Sequence, residues 1–126
     1  MPRADASAAL RALERVAGVI APVLLVSEIR SVAADDLWLS AAYGRDSVAI
    51  HFTWVPDAAA VASAVAAVEA ALDPFDARPH WGKVFAVTAS DLEGRYPKMA
   101  DFRGLVQRLD PRGAFRSDFL ERHVLG

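Results

Sequence analysis

Ser47-Val48-Ala49-Ile50-His51-Phe52-Thr53-Trp54-Val55 alternates in character over its whole length. Successive strand side chains point to opposite faces, so Val48, Ile50, Phe52 and Trp54 share one face, and Ala49, His51 and Thr53 share the other. Four large apolar residues in a row on one side are the natural seat for helices. The other side is turned away from that layer. Just upstream, Val23 to Arg30 is short and rich in branched residues, and it is predicted as a second strand. Glu28 and Arg30 are two residues apart there, so they project from one face. If the two strands pair, a carboxylate, a guanidinium, an imidazole and a hydroxyl fall within one patch.

Helical signals surround this pair. Leu10, Leu13, Ala17 and Ile20 recur at helical spacing, with Asp5 as the expected cap and Gly18 and Pro22 limiting the end. Pro56-Asp57 opens an alanine-rich helix whose buried stripe is Val61, Val65, Val68 and Leu72, stopped by Asp73-Pro74. Val84 to Val87 is expected to be a strand edge, and Thr88 or Ser90 to cap a short helix through Leu92. From Pro97 a helix carries Phe102, Leu105, Val106 and Leu109 on one side until Asp110-Pro111-Arg112-Gly113, and a last turn or two covers Asp118 to Val124. Residues 33–46 read as a connector, in which Asp35-Asp36 suits a turn or a cap better than a metal site. Strands and helices mix without strict alternation, which gives an α+β domain with an antiparallel sheet.

Composition narrows the function classes. At 126 residues the chain is one domain with room for a core. Hydrophobic residues make up 54%, which excludes disorder. A net charge of −2 argues against a nucleic-acid partner, which asks for a basic stripe. No transmembrane segment is expected, and Met1-Pro2-Arg3-Ala4-Asp5 lacks the apolar core of an export signal. With no cysteine, thiol nucleophiles and disulfides are excluded, and the cytoplasm is the expected setting. Only His51, His80 and His123 are present, a poor basis for a multi-histidine metal site.

Pro79-His80-Trp81-Gly82-Lys83 is the most unusual run in the chain. It sets an imidazole, an indole, a glycine that permits close backbone approach and a compact ammonium side by side after a proline. A cofactor or substrate site can use each of these groups. Lys83 is placed to reach the patch of Glu28, Arg30, His51 and Thr53 from this third segment. Each residue also has a plainer reading. Glu28 and Arg30 can be an exposed ion pair, His51 a surface or core histidine, and Thr53 an ordinary strand residue. Trp38 and Trp54 read as core or interface anchors.

Five segments, in this order and spacing, resemble one family. They are Val26-Ser27-Glu28-Ile29-Arg30, Asp35-Asp36-Leu37-Trp38-Leu39, His51-Phe52-Thr53-Trp54, Arg78-Pro79-His80-Trp81-Gly82-Lys83, and a tail. The tail comprises Tyr96-Pro97, Phe102, Leu109-Asp110-Pro111, Gly113, Phe115 and Asp118-Phe119-Leu120. Together they look like the C-terminal part of the FAD-dependent alditol oxidases, relatives of the D-arabinono-1,4-lactone and L-gulonolactone oxidases in the vanillyl-alcohol-oxidase superfamily. The resemblance implies oxidation of a CH–OH group of a sugar alcohol or aldonolactone, with oxygen as acceptor and hydrogen peroxide as product. It implies substrate contacts at Glu28, Arg30, Thr53 and Lys83. A polyol offers only hydroxyls, and these groups supply the acceptors and donors it needs. The catalytic candidates are Lys83, Arg30 and His51, with His51 as proton acceptor. Lys83 and His80 are the candidate cofactor contacts.

Full-length members carry an N-terminal FAD-binding domain with a phosphate-binding loop and a histidine bonded covalently to the flavin. Neither is read in these residues. The expectation is therefore a substrate-domain portion spanning 1–126, whose polar sheet face is turned toward an FAD-binding domain or subunit that this chain lacks. Two other readings stand beside it: a non-catalytic polyol or sugar-acid binding module, and an inactive truncated remnant.

Overall fold

A two-stranded antiparallel sheet is covered on one face by an N-terminal and a central helix, and a cluster of short helices follows. These features come from a computed structural model that describes residues 1–126. A 3₁₀ turn, Arg3–Asp5, leads into α1 (Ala6–Arg15) and α2 (Ala17–Ile20). Strands β1 (Leu24–Val32) and β2 (Ser47–Trp54) follow, then α3 (Ala58–Leu72). The last part holds α4 (Ala89–Glu93), α5 (Met99–Leu109), α6 (Asp118–Leu120) and a π-helical turn, Glu121–Leu125. The fold is α+β, as its sequence pattern predicts.

Alternation along β2 decides how the layers meet. Val48 is buried, and Ile50, Phe52 and Trp54 pack against the same cluster as Ala9, Leu13, Ile20, Val68 and Leu72. Phe52 and Trp54, two apart on that face, stack with ring centroids 5.2 Å apart. Trp54 also touches a neighbouring cluster of Val23, Val61, Ala64 and Val65, so the α3 stripe expected from the sequence is the one that is buried. Strand β1 overhangs this layer: every residue from Leu25 to Val32 is exposed.

A further cluster, Leu92, Tyr96, Met99 and Val124, anchors the C-terminal helices, with Trp81, Phe85 and Phe102 packed on it. Its turns are closed by side chains at the residues that turn chemistry favours. Thr88 caps α4 in a reciprocal capping box with Asp91. The buried Asp110 carboxylate accepts from Ala114 N–H at 2.7 Å and Phe115 N–H at 2.8 Å. Gly113 takes φ +70°, and a Cβ there would sit 2.9 Å from Arg116 Cδ, so this turn requires glycine.

Two expectations need correction. Val84 to Val87 is no strand edge: no strand pairs with it, and Ala86 N–H goes to Glu69 Oε1 at 2.8 Å instead. Phe85 and Val87 alternate inward onto the C-terminal cluster, so burial rather than strand pairing sets the alternation. Asp5 precedes α1 but makes no side-chain cap, because its own backbone is already helical at φ −89°, ψ −1°. The helical stretch Ala58–Phe75 is long and apolar enough, by length and composition, to cross a membrane. Its branched residues Val61, Val65, Val68 and Leu72 are buried in the core of this fold.

Met1 is buried against β2, with its carbonyl accepting from Val48 N–H at 3.0 Å and its amino group donating to Val48 O at 3.3 Å. Burial, helped by the Arg45 and Arg78 charges, pushes that amine down to about 6. Between that value and the ordinary amine value of 8.0 the unfolded chain binds more protons than the folded one. Stability is thus expected to be greatest above pH 8 and to fall as pH drops through 6, read as a shift in urea midpoint. N-terminal acetylation should flatten that slope. Separately, Leu92→Ala, at a site with no solvent exposure, is expected to cost ~2–5 kcal/mol by urea unfolding.

Candidate functional site

Pairing of β1 with β2 sets the site. The register places Glu28 opposite His51, Arg30 opposite Ala49 and Val26 opposite Thr53. Glu28, Arg30, His51 and Thr53 therefore share the face away from the helices, as their spacing predicts. Glu28 Oε2 receives the Arg30 guanidinium in an ion pair and lies 3.4 Å from His51 Nδ1. With its proton on Nδ1, His51 donates to Glu28 and leaves the Nε2 lone pair free as an acceptor. Below the ring, Ser27 Oγ donates to the His51 carbonyl at 3.0 Å, which ties the strand backbone at this position.

These side chains lie in the open. His51 retains 37% of its side-chain exposure, Glu28 44% and Arg30 66%. An ion pair so exposed contributes little to stability, ~0–1 kcal/mol. Thr53 lies two residues along the same face, exposed. The patch thus offers a carboxylate and an imidazole acceptor, a guanidinium fork and a hydroxyl to a ligand laid on the sheet. It is a platform rather than a pocket. Two apolar grooves lie elsewhere, one along α5 and one between α1 and the sheet.

Pro79 to Lys83 forms a separate turn. Lys83 N–H donates to the His80 carbonyl at 2.9 Å, and Gly82 N–H to His80 Nδ1 at 3.0 Å. His80 and Lys83 are both exposed, and no hydrogen bond or ion pair joins either side chain to Glu28, Arg30, His51 or Thr53. Trp81 is the anchor of the turn. Its indole N–H donates to Leu39 O at 2.8 Å, and its ring packs beside Tyr96 with centroids 5.0 Å apart.

Arg78 is the contributor that sequence reading missed. Its Nε donates to Arg95 O at 2.6 Å, and its Nη1 to Tyr43 O at 3.0 Å and Ala41 O at 3.4 Å. Its guanidinium lies 5.4 Å from the centre of the Tyr96 ring, while Tyr96 OH donates to Pro79 O at 3.0 Å. One side chain thus ties the 33–46 connector, the start of the Pro79 turn and the C-terminal cluster together. Burial lowers the Arg78 pKa, and burial pushes the Tyr96 phenol up to about 12. The available signal was an arginine directly before a proline, and spacing alone does not show which carbonyls it meets. Asp35 is likewise structural: its carboxylate accepts from Leu37 N–H at 3.1 Å and Ser40 Oγ at 2.5 Å. Trp38 is part exposed, with the Lys98 ammonium 5.8 Å from its ring centre.

Comparison with known proteins bears on the family of this chain. Residues 1–123 match the family model described as D-arabinono-1,4-lactone oxidase. An alditol oxidase of Streptomyces sp. is 53% identical over 120 residues, covering 95% of this chain and 29% of that protein. An L-gulono-1,4-lactone dehydrogenase of Mycobacterium tuberculosis is 38% identical over 129 residues, again 29% of its length. The mouse L-gulonolactone oxidase is 31% identical over 99 residues, or 75% of this chain and 22% of its own. The chain thus spans under a third of the relatives it matches. Its matched length and its identity to these proteins place it in the D-arabinono-1,4-lactone oxidase family.

Proposed function

We propose that this chain is the substrate-domain part of a flavin-dependent oxidase. It acts on CH–OH groups of sugar alcohols or aldonolactones with oxygen as acceptor, together with a separate flavin-binding part, in the cytoplasm. The observation that carries this reading is the Glu28–His51 pair, backed by Arg30, on the sheet face that no helix covers. Relatives named alditol oxidase and L-gulonolactone oxidase match 95% and 75% of this chain.

The residues fit a flavin in part. Lys83 offers an exposed cation and His80 an exposed ring, but no enclosed cavity at the sheet face would surround a flavin ring. FAD bound by the other part would accept hydride from the carbinol carbon and pass two electrons on to oxygen. This chain's share is binding and proton chemistry. Glu28 accepts hydrogen bonds from substrate hydroxyls, Thr53 accepts or donates, and Arg30 donates through its fork. His51 Nε2 takes the proton of the reacting hydroxyl, and the Glu28 carboxylate beside Nδ1 orients the ring. Arg30 favours the alkoxide character of that oxygen, and Lys83 supplies positive charge on the cofactor side.

The test uses this chain assembled with the flavin-binding part of the Streptomyces relative, assayed for peroxide with xylitol. His51→Ala is expected to lower kcat by about 10²–10⁴-fold, the range of a lost general base. Lys83→Met should lower it by about 10²–10³-fold, as for a lost charge-stabilising donor. Thr53→Val should raise KM with little change in kcat. Full turnover in His51→Ala would remove the base from the account. Wild-type chain that assembles yet yields no peroxide with any polyol or aldonolactone would overturn the oxidase reading.

A further inference from the structure

Two stretches distant in sequence run side by side, and side chains alone lace them together. Residues 39–45 belong to the connector between β1 and β2, and residues 76–81 lead into the Lys83 turn. Arg45 donates to the Asp76 carbonyl at 2.7 Å and forms an ion pair with the Asp76 carboxylate. Arg78 Nη1 donates to Tyr43 O at 3.0 Å and Ala41 O at 3.4 Å, and the Trp81 indole N–H to Leu39 O at 2.8 Å. Partners fall along one stretch as they rise along the other, which is the register of an antiparallel strand pair. No backbone–backbone hydrogen bond joins the two stretches. From this lacing we infer that the strap is the positioning device of the site. It fixes the Lys83 turn relative to the Glu28–His51 face, with Arg78 and Trp81 as its positioning residues.

Both sides of the strap are closed, so it can hold a distance. The connector leaves β1 after Val32 and enters β2 at Ser47, so it is continuous with the strands that carry Glu28 and His51. It closes on itself: Gly44 N–H donates to Asp35 O at 2.9 Å, and Ala34 N–H to Asp46 Oδ1 at 3.1 Å. On the other side, Pro79 O accepts from Tyr96 OH at 3.0 Å, and Lys83 N–H returns to His80 O at 2.9 Å. Asp76 opens this side in the left-handed region, at φ 49°, which a non-glycine residue keeps where its surroundings hold it. Arg45 supplies that hold by gripping both the carboxylate and the carbonyl of Asp76.

The residue types suit this task. A guanidinium presents its donors in a rigid plane, so Arg78 sets the angle between its carbonyl partners, which a flexible ammonium would not. Its other end is fixed as well. Arg78 Nε donates to Arg95 O at 2.6 Å, and Arg95 Nη1 donates back to Ala77 O at 2.6 Å, which ties the strap to the turn between α4 and α5. No side-chain bond joins Lys83 to the sheet patch, so the strap makes the geometric link that direct contact does not. A cation that must face developing negative charge loses on the order of 10²-fold in rate when misplaced by about 1 Å. That last step rests on the oxidase reading above; the geometry of the strap does not.

The chain has no cysteine, so Ala49→Cys with Lys83→Cys places spin labels at two exposed positions and nowhere else. Pulsed electron paramagnetic resonance then reads the distance from the sheet face to the turn. One narrow peak is expected in the doubly labelled chain, and adding Arg78→Met should spread it into a broad distribution. Trp81→Phe keeps an aromatic ring and removes one N–H, so it should broaden the peak less, and it decides the matter if Arg78→Met does not fold by circular dichroism. A broad distribution in the parent, or a narrow peak kept in every folded variant, would overturn the inference. Turnover of the chain assembled with the relative's flavin-binding part tests the catalytic step. Arg78→Met is expected to lower kcat about 10- to 100-fold when Lys83 is present, but less than about threefold in a Lys83→Met background. Equal losses in both backgrounds would mean that Arg78 does not act through Lys83, and would overturn its positioning role. An assembled wild-type enzyme without turnover counts against the oxidase reading, and the label distances still decide the strap.

Discussion

The pairing register of β1 on β2 governs the rest of this molecule, and hydrophobic burial on one side of β2 fixes it. Val48, Ile50, Phe52 and Trp54 enter the layer formed with α1 and α3, and only one parity of β2 residues can do so. A slip of one residue would turn His51 and Thr53 into that layer and carry Phe52 into water. The same burial that stabilises the fold thus delivers His51 to the open face, opposite Glu28. Site geometry is a by-product of core packing here. The polar residues need contribute nothing to stability to be held in place.

This dependence explains what was legible in the amino-acid sequence. A period of two shows which β2 residues share a face, and the Glu28–Arg30 spacing does the same for β1, so the patch could be assembled from spacing once the strands were paired. The α3 stripe was equally visible, because Val61, Val65, Val68 and Leu72 recur at helical spacing among alanines. Val84 to Val87 was not legible in the same way. Four apolar residues read alike whether they pair in a sheet or cover a cluster of side chains, and only the position of Leu92, Tyr96 and Val124 decides between them. Arg78 shows another limit. Its value lies in carbonyls at Ala41, Tyr43 and Arg95, distant in sequence and silent in any local pattern.

Two structural units carry the groups of interest, and they are held by different means. The sheet face rests on the N-terminal core, whereas the Pro79–Lys83 turn hangs on Trp81, Tyr96 and the Arg78 clamp. No side-chain bond joins Lys83 to the sheet patch. Under the proposed function, the open platform and the exposed cation on a separate turn would be two sides of a space that a flavin-binding part fills. The relatives are more than three times as long as the matched segment.

The central claim is that this chain supplies the substrate side of a flavin oxidase. Anaerobic absorbance of the flavin bound to the Streptomyces relative's flavin-binding part tests it most directly, with xylitol present throughout. Adding this chain is expected to bleach the oxidised flavin band, and admitting oxygen should restore it. A complex that forms but leaves the band unchanged would contradict the claim.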